Sequence, residues 1–151
     1  DPRRKEPLLH SSDLRTRLQS LIRVKLDYFA PSRKLLGALS GHTNPESPLS
    51  PFSAQTREIR EHDISFFYQA LENSKTPPPA DLKEYLPRLL WMYQMGIILF
   101  WINDSSKGQA KTRVLLDQSL DLVVQLIKLA RLPLIRPMRR KLIRLLDTLM
   151  A

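Results

Sequence analysis

The stretch LLWMYQMGIILFWI, residues 89–102, is apolar on nearly every side when it is drawn as a helix. Such a helix is roughly 21 Å long, whereas the hydrocarbon core of a bilayer is about 30 Å thick. Arg88 and Asp104 place charges at its two ends. The stretch therefore predicts a central helix that other helices cover, and it does not predict a membrane span.

Amphipathic helices are predicted on both sides of this central segment, because apolar residues recur there at every third or fourth position. Ser12 or Asp13 can cap the first of them, and prolines separate several of the segments. The predicted helices cover about residues 13–29, 32–39, 51–73, 89–102, 109–132 and 137–150. The sequence thus predicts an all-α bundle of about six helices in residues 13–151. Residues 1–12 show no apolar period and are predicted to be a linker or a frayed N-terminus.

The composition restricts the chemistry that the chain can perform. The 151 residues include no cysteine, which excludes disulfides, thiolate metal sites and cysteine nucleophiles. The formal net charge is +9, and a basic run without acidic residues extends from Lys128 to Arg144. Such a charge is typical of a protein with a polyanionic partner, but it also fits an ordinary solvated surface. The charge alone does not decide between these two interpretations.

No pattern of catalytic or metal-binding residues is present. Glu58 and His62 lie one helical turn apart, but a zinc site needs three or four ligands, and no HExxH or comparable spacing occurs. The serines lack the sequence context of a nucleophile elbow. We therefore predict a protein that is not an enzyme and needs neither a metal nor another cofactor.

Aromatic residues and methionines are concentrated on three of the predicted helices. If these helices pack together, their side chains can wall an apolar cavity, with a few polar groups that orient a ligand. Ordinary core packing is the alternative interpretation of the same side chains. The predicted pocket residues are Tyr28, Phe29, Phe66, Phe67, Trp91, Gln94, Met95 and Leu99.

The last two predicted helices have apolar surfaces too wide for one thin neighbour to cover. An exposed apolar patch of this kind usually marks an interface. Pairing the two helices with those of a second copy would create a symmetric four-helix contact. The predicted dimer interface consists of Leu116, Leu120, Val123, Val124, Ile127, Leu142, Leu145 and Leu149.

Two segments carry a resemblance to a known family: LRTRLQSLIRVKLDYFAPSRKLLGALSGHTNPESPLSPFS at residues 14–53, and YLPRLLWMYQMGIILFWINDSSKGQAKTRVLLDQSLDLV at residues 85–123. Together with the order of the helices, they resemble the C-terminal region of tetracycline-repressor (TetR) type transcription regulators. The resemblance covers about residues 13–132. It rests on general likeness, since this region of the family has no short diagnostic signature.

The resemblance implies a fold and a function. Regulators of this type join an N-terminal helix-turn-helix to a helical C-terminal region, which binds a small effector and forms a homodimer through its last two helices. Residues 13–151 are therefore expected to be a ligand-binding and dimerisation domain for a small hydrophobic effector. No helix-turn-helix is expected in these 151 residues, so operator DNA is a partner only through a missing N-terminal domain. The expected location is the cytoplasm.

Two other functions remain open at this point. The same helical fold could bind a lipid or an isoprenoid without reading DNA. Alternatively, the chain could be a basic helical adaptor with a solid core and no pocket. A cavity beside Trp91 and Met95 would distinguish the pocket-bearing proteins from the adaptor.

Overall fold

The computed structural model describes residues 13–40, 44–48, 50–72 and 74–150. Across these ranges the secondary structure is entirely helical, and no strand occurs in them. The prediction of an all-α bundle is confirmed, while the predicted linker at residues 1–12 lies outside the described ranges. The α-helices are α1 (Leu14–Phe29), α2 (Arg33–Leu39), α3 (Arg57–Leu71), α4 (Leu86–Ile102), α5 (Ala110–Ala130) and α6 (Arg136–Met150).

The helix starts follow from local chemistry. Asp13 caps α1, because its carboxylate accepts a 3.1 Å hydrogen bond from the backbone N–H of Thr16. Helix α4 begins at Leu86, three residues before the predicted start, with Pro87 in its first turn. A proline at this position is favourable, since the N–H that it lacks would have no partner within the helix.

The start of α3 differs from the prediction. A helix was predicted from about residue 51, but residues 50–56 form turns and α3 begins at Arg57. Side chains satisfy the backbone of this segment: the Thr56 hydroxyl donates to the carbonyl of Ser50 at 2.9 Å. Arg60 donates to the carbonyls of Pro51 and Ser53 at 2.8 and 3.0 Å. These bonds stabilise a turn where a helix would otherwise extend.

The core lies between α1, α3, α4 and α5. Helix α3 packs along α4, and α1 packs against both α3 and α5. Phe67, Leu18, Ile22 and Leu120 are fully buried there. Burying a side chain of this size contributes roughly 1.5–3 kcal/mol.

Helix α6 is held at the edge of the bundle by few groups. Leu146 is its one buried residue. The guanidinium of Arg139 forms an ion pair with Asp81 at 2.9 Å and also donates to the carbonyl of Ala130 at the end of α5. Four other large apolar side chains of α6 are exposed, namely Met138, Leu142, Leu145 and Leu149. This helix therefore offers much more apolar surface to solvent than the rest of the bundle does.

The turn between α4 and α5 is organised by the buried carboxylate of Asp104. One oxygen accepts from the hydroxyl and the N–H of Ser106, at 2.5 and 2.9 Å. The other accepts from the hydroxyl and the N–H of Thr112, at 2.6 and 2.9 Å. The hydroxyl bonds from Ser106 and Thr112, followed by the two N–H bonds, hold the pKa of Asp104 well below its usual range, although burial opposes this shift.

This carboxylate should make the stability of the fold depend on acid pH. Because its pKa is lower in the folded chain than in the unfolded one, the contribution of Asp104 is complete above the unfolded value of 3.8 and declines as the pH falls below it. Urea denaturation between about pH 5 and pH 2 should therefore show a decreasing midpoint. The decrease should be smaller in Asp104→Asn. An equal decrease in both proteins would contradict the role given to these four hydrogen bonds.

Candidate functional site

The structure divides the predicted pocket residues into a buried group and an exposed group. Phe66, Phe67, Trp91 and Gln94 are buried where α3 packs on α4. Phe29 and Met95 are partly buried.

Tyr28 and Leu99 do not join them. Tyr28 is 65% exposed near the end of α1, and its ring packs edge-on against Phe29. Leu99 is 49% exposed. It lies seven residues after Met92, so both residues are on the same solvent-facing side of α4. The placement of these two residues corrects the predicted pocket, because neither side chain faces the interior.

A buried polar network occupies the middle of the core instead. Asp63 on α3 is 8% exposed, and its Oδ1 forms an ion pair with Nζ of Lys25 on α1 at 2.5 Å. Its Oδ2 accepts hydrogen bonds from Nε1 of Trp91 at 3.1 Å and from Nε2 of Gln94 at 3.0 Å, both on α4. One carboxylate thus joins three helices.

The side-chain amide of Gln94 is only half satisfied. The residue is fully buried, and its Oε1 has no hydrogen-bond partner among the described residues. The amide cannot be turned to relieve this, because its Oε1 would then face the carboxylate of Asp63 in place of the donating nitrogen. A buried acceptor without a partner costs about 1–3 kcal/mol. Such a group in a native core requires an explanation.

A narrow recess lies beside this network, between α1 and α3. Its walls are Leu21, Val24, Lys25, Asp63 and Phe66. Three of the five side chains are apolar, and the other two are the ion pair of the network. The free space accommodates only about one water molecule.

A second recess lies outside the core, where the end of α3 meets the proline-rich loop that follows it. It is wider and more open, with a volume of about 880 Å³ that includes bulk solvent. Its walls are Tyr68, Leu71, Glu72, Pro77, Pro78, Ala80 and Lys83. Glu72 and Lys83 are its two charged lining residues, and the recess is open to solvent, whereas pockets for apolar ligands bury most of the ligand surface.

The predicted dimer interface is also divided by the structure. Leu142, Leu145 and Leu149 are 42%, 54% and 69% exposed on α6. Val123 is half-buried. Four residues of α5 face the core of the same chain and leave no surface for a partner: Leu116, Leu120, Val124 and Ile127. The outer side of α5 carries Val114, Leu122, Leu126 and Leu129 in their place.

Sequence reasoning missed Lys25 and Asp63 as members of the site, although a signal for both was present. Asp63 lies three, four and seven residues before Phe66, Phe67 and Ala70, which places it on the apolar side of α3. Lys25 lies in the same way on the apolar stripe of α1. A charged residue on the inner side of each of two helices indicates a buried ion pair.

The described residues contain no group of three or more histidine, cysteine or acidic side chains that could hold a metal ion. In the same ranges, no helix is both long and apolar enough to cross a membrane.

Comparison with known proteins places the chain in a family. A family model described as "Tetracyclin repressor-like, C-terminal domain" matches residues 17–144. No curated protein matches the sequence. The family match covers most of the chain, including all of α2 to α5 and much of α1 and α6, and it agrees with the helical fold. The chain belongs to the tetracycline-repressor-like family, as a C-terminal domain of that type.

Proposed function

We propose that this chain is the effector-binding and dimerisation domain of a TetR-type transcription regulator. The observation that carries the dimerisation part is an exposed apolar surface on the last two helices. This surface, the dimer face, is formed by Val114, Leu122, Leu126 and Leu129 of α5 and by Met138, Leu142, Leu145 and Leu149 of α6. Leu122 and Leu126 are 62% and 63% exposed, and Met138 is 67% exposed.

The dimer face is suited to a second copy of itself. Monomeric proteins rarely expose large apolar patches to water, and each of the two helices exposes four large apolar side chains. Two helices from each copy would form a four-helix contact around a two-fold axis. Arg136, Arg140 and Arg144 follow one another at every fourth position and lie on the side of α6 opposite its apolar stripe. These charges would therefore remain in solvent when the apolar sides of two copies meet.

The effector part of the proposal rests on the core between α1, α3 and α4. Pockets for small molecules are mostly apolar and carry a few convergent polar groups. The recess beside Asp63 has this composition, and three helices meet at its polar end. An effector bound there would favour one arrangement of these helices over another. Through them it would control the spacing of DNA-reading domains, provided that it binds one spacing more tightly. Such a regulator acts where its DNA is, which favours the cytoplasm.

The small volume of the recess beside Asp63 favours a different function, the basic adaptor with a solid core. In that protein the polar network would only fix the packing of the helices. A ligand titration distinguishes the two, because an adaptor would not respond to small apolar molecules.

Sedimentation equilibrium of the chain tests the proposed function. One copy has a mass of 17.5 kDa, and at tens of micromolar we expect twice that mass. A mass of one copy across this range would contradict the dimerisation part. The same measurement at high salt should still give the dimer, because the contact is apolar and salt screens only exposed charges.

A further inference from the structure

Residues 131–146, which form the turn after α5 and most of α6, contain only three kinds of residue. Their sequence is RLPLIRPMRRKLIRLL, so every residue is apolar, proline or basic. Six of them are arginine or lysine, and the formal net charge of all 151 residues is +9. A large part of the positive charge of the chain is therefore concentrated in this basic segment.

The charges of the basic segment do not stabilise the helix that carries them. Its exposed basic side chains on α6 are Arg136, Arg140, Lys141 and Arg144. Arg136 begins the helix, where the dipole disfavours a cation, and no acidic residue lies in the first turn. Arg136, Arg140 and Arg144 are four positions apart, and like charges at this spacing repel one another. Among the described residues, the only ion pair of the basic segment joins Arg139 to Asp81. An anionic partner would remove this repulsion.

An exposed apolar turn lies directly beside these charges. It contains the short 3₁₀ helix Pro133–Ile135, and Leu134 and Leu132 are 90% and 47% exposed. Leu134 is the most exposed large apolar side chain in the described part of the chain. Neither leucine belongs to the dimer face. Apolar side chains bordered by arginines match the surface of an anionic bilayer, where the acyl boundary takes the leucines and the lipid phosphates take the charges.

We propose that the basic segment binds the surface of a membrane that contains anionic lipids. Leu132 and Leu134 enter the boundary between headgroups and acyl chains, while the exposed arginines of α6 contact lipid phosphates. This site goes beyond the proposed function, since neither effector binding nor dimerisation requires it. The arginines lie opposite the apolar stripe of α6, so a second copy can occupy the dimer face at the same time. A dimer would carry two such sites and bind a vesicle more tightly than one copy does.

Nucleic acid is the other polyanion that a basic segment could contact, but the neighbouring residues favour a membrane. Proteins that contact DNA phosphates add serine, threonine, asparagine, glutamine or tyrosine to their arginines and lysines. Those that bind single strands stack the bases on aromatic rings. Residues 131–146 contain none of these residue types. An exposed leucine gains nothing from a phosphate backbone, whereas its transfer from water into the bilayer boundary is favourable.

Cosedimentation of the full chain with lipid vesicles tests this site. The vesicles consist of phosphatidylcholine alone, or of phosphatidylcholine with about one third phosphatidylglycerol, which supplies the negative surface potential. We expect the chain to bind the anionic vesicles and to remain in the supernatant with the neutral ones. High salt should weaken the binding, because it screens exposed charges.

The charges are tested by a triple variant. Arg136→Gln, Arg140→Gln and Arg144→Gln together should weaken binding to the anionic vesicles about a hundredfold, since each charge near such a surface contributes roughly fivefold. The matched control removes three exposed charges elsewhere, by Lys34→Gln, Arg57→Gln and Lys75→Gln. It should weaken binding far less, because these residues lie outside the basic segment.

The apolar turn is tested by a single variant. Leu134→Ser should weaken binding to the anionic vesicles at least about fivefold, because the leucine no longer leaves water when the chain binds. Ile59→Ser on α3 makes a similar change at a side chain that is 73% exposed, and it should have no effect. All of the substituted side chains are exposed, and circular dichroism should show native helix in every variant.

Four results would overturn the inference. They are equal binding to the two kinds of vesicle, equal weakening by the two triple variants, no effect of Leu134→Ser, and tighter binding to a DNA duplex than to anionic vesicles at the same phosphate concentration. The last result would assign the charges to nucleic acid. Each of the four can occur in a chain that sediments as a dimer, and the proposed function would then stand.

Discussion

Aspartate in place of both Leu126 and Leu145 is expected to convert the dimer into single copies. Both leucines belong to the dimer face, one on each of its helices, and both are more than half exposed in the single chain. Truncation of a central apolar side chain costs about 2 kcal/mol at an interface, and burying a charge costs more. The two changes together should raise the dissociation constant at least about a thousandfold. Sedimentation equilibrium measures this constant.

The matched control carries the same change of charge elsewhere on the surface. Ile59 on α3 and Leu35 on α2 are 73% and 60% exposed and lie outside the dimer face. The double variant Ile59→Asp with Leu35→Asp should retain the wild-type mass. Equal weakening by both double variants would show that net charge, rather than the dimer face, controls association. Circular dichroism should show native helix in both, because none of the four side chains is buried.

Leucine in place of Asp63 is expected to lower the free energy of unfolding by about 3–5 kcal/mol, because it leaves the Lys25 ammonium in the core without a counter-ion. The change also removes the acceptor for the Trp91 indole and for the Gln94 amide. A loss of this size is a large share of the 5–15 kcal/mol that typically stabilises a domain. Urea denaturation followed by circular dichroism measures it.

A second variant separates the charge from the packing. Lys25→Met combined with Asp63→Leu removes both charges and should recover much of the loss, since an apolar pair can replace a buried ion pair at little cost. The exposed pair of Glu61 and Arg88 serves as the control, with an N–O distance of 3.0 Å and side chains 40% and 45% exposed. Glu61→Gln should change stability by at most about 1 kcal/mol. Losses of equal size at Asp63 and at Glu61 would contradict the importance of burial.

The helical architecture could be predicted because apolar periodicity is a local property. The apolar segment at residues 89–102 predicted the central helix. Apolar residues at every third or fourth position predicted the helices on either side of it. The start of α3 was less predictable, since Ser50 and Pro51 are typical of a helix start. Contacts from Thr56 and Arg60 stabilise turns there, and these contacts form only once the chain has folded back on itself.

The orientation of α5 could not be predicted from the sequence of α5. Its apolar arc is so wide that two different sides could face inward. Contacts with α1 determine which side faces inward. Arg15 of α1 donates to the carboxylate of Asp121 and to the carbonyl of Asp117. Gln19 donates to the side chain of Asp117. These contacts turn Leu116 and Leu120 into the core and leave Leu122 and Leu126 outside. The choice of interface residues on α5 depended on this orientation.

The buried polar network around Asp63 could not be predicted for a related reason. Gln94 and Trp91 were predicted as pocket residues from the composition of α4. Lys25 and Asp63 were not among the predicted pocket residues, and most lysines and aspartates are exposed. Only the packing of α1, α3 and α4 brings the two together, across 38 positions of sequence.

The central claim, a two-fold contact through the outer side of the last two helices, can be tested by cysteine cross-linking. The natural chain has no cysteine, so a single introduced thiol reports on one position. Leu122→Cys, Leu126→Cys and Leu145→Cys place the thiol on the dimer face, and Ile59→Cys is the exposed control. Under mild oxidation, at least one dimer-face variant should form a covalent dimer rapidly, and Ile59→Cys should remain largely single. Equally slow cross-linking of all four variants would contradict the claim.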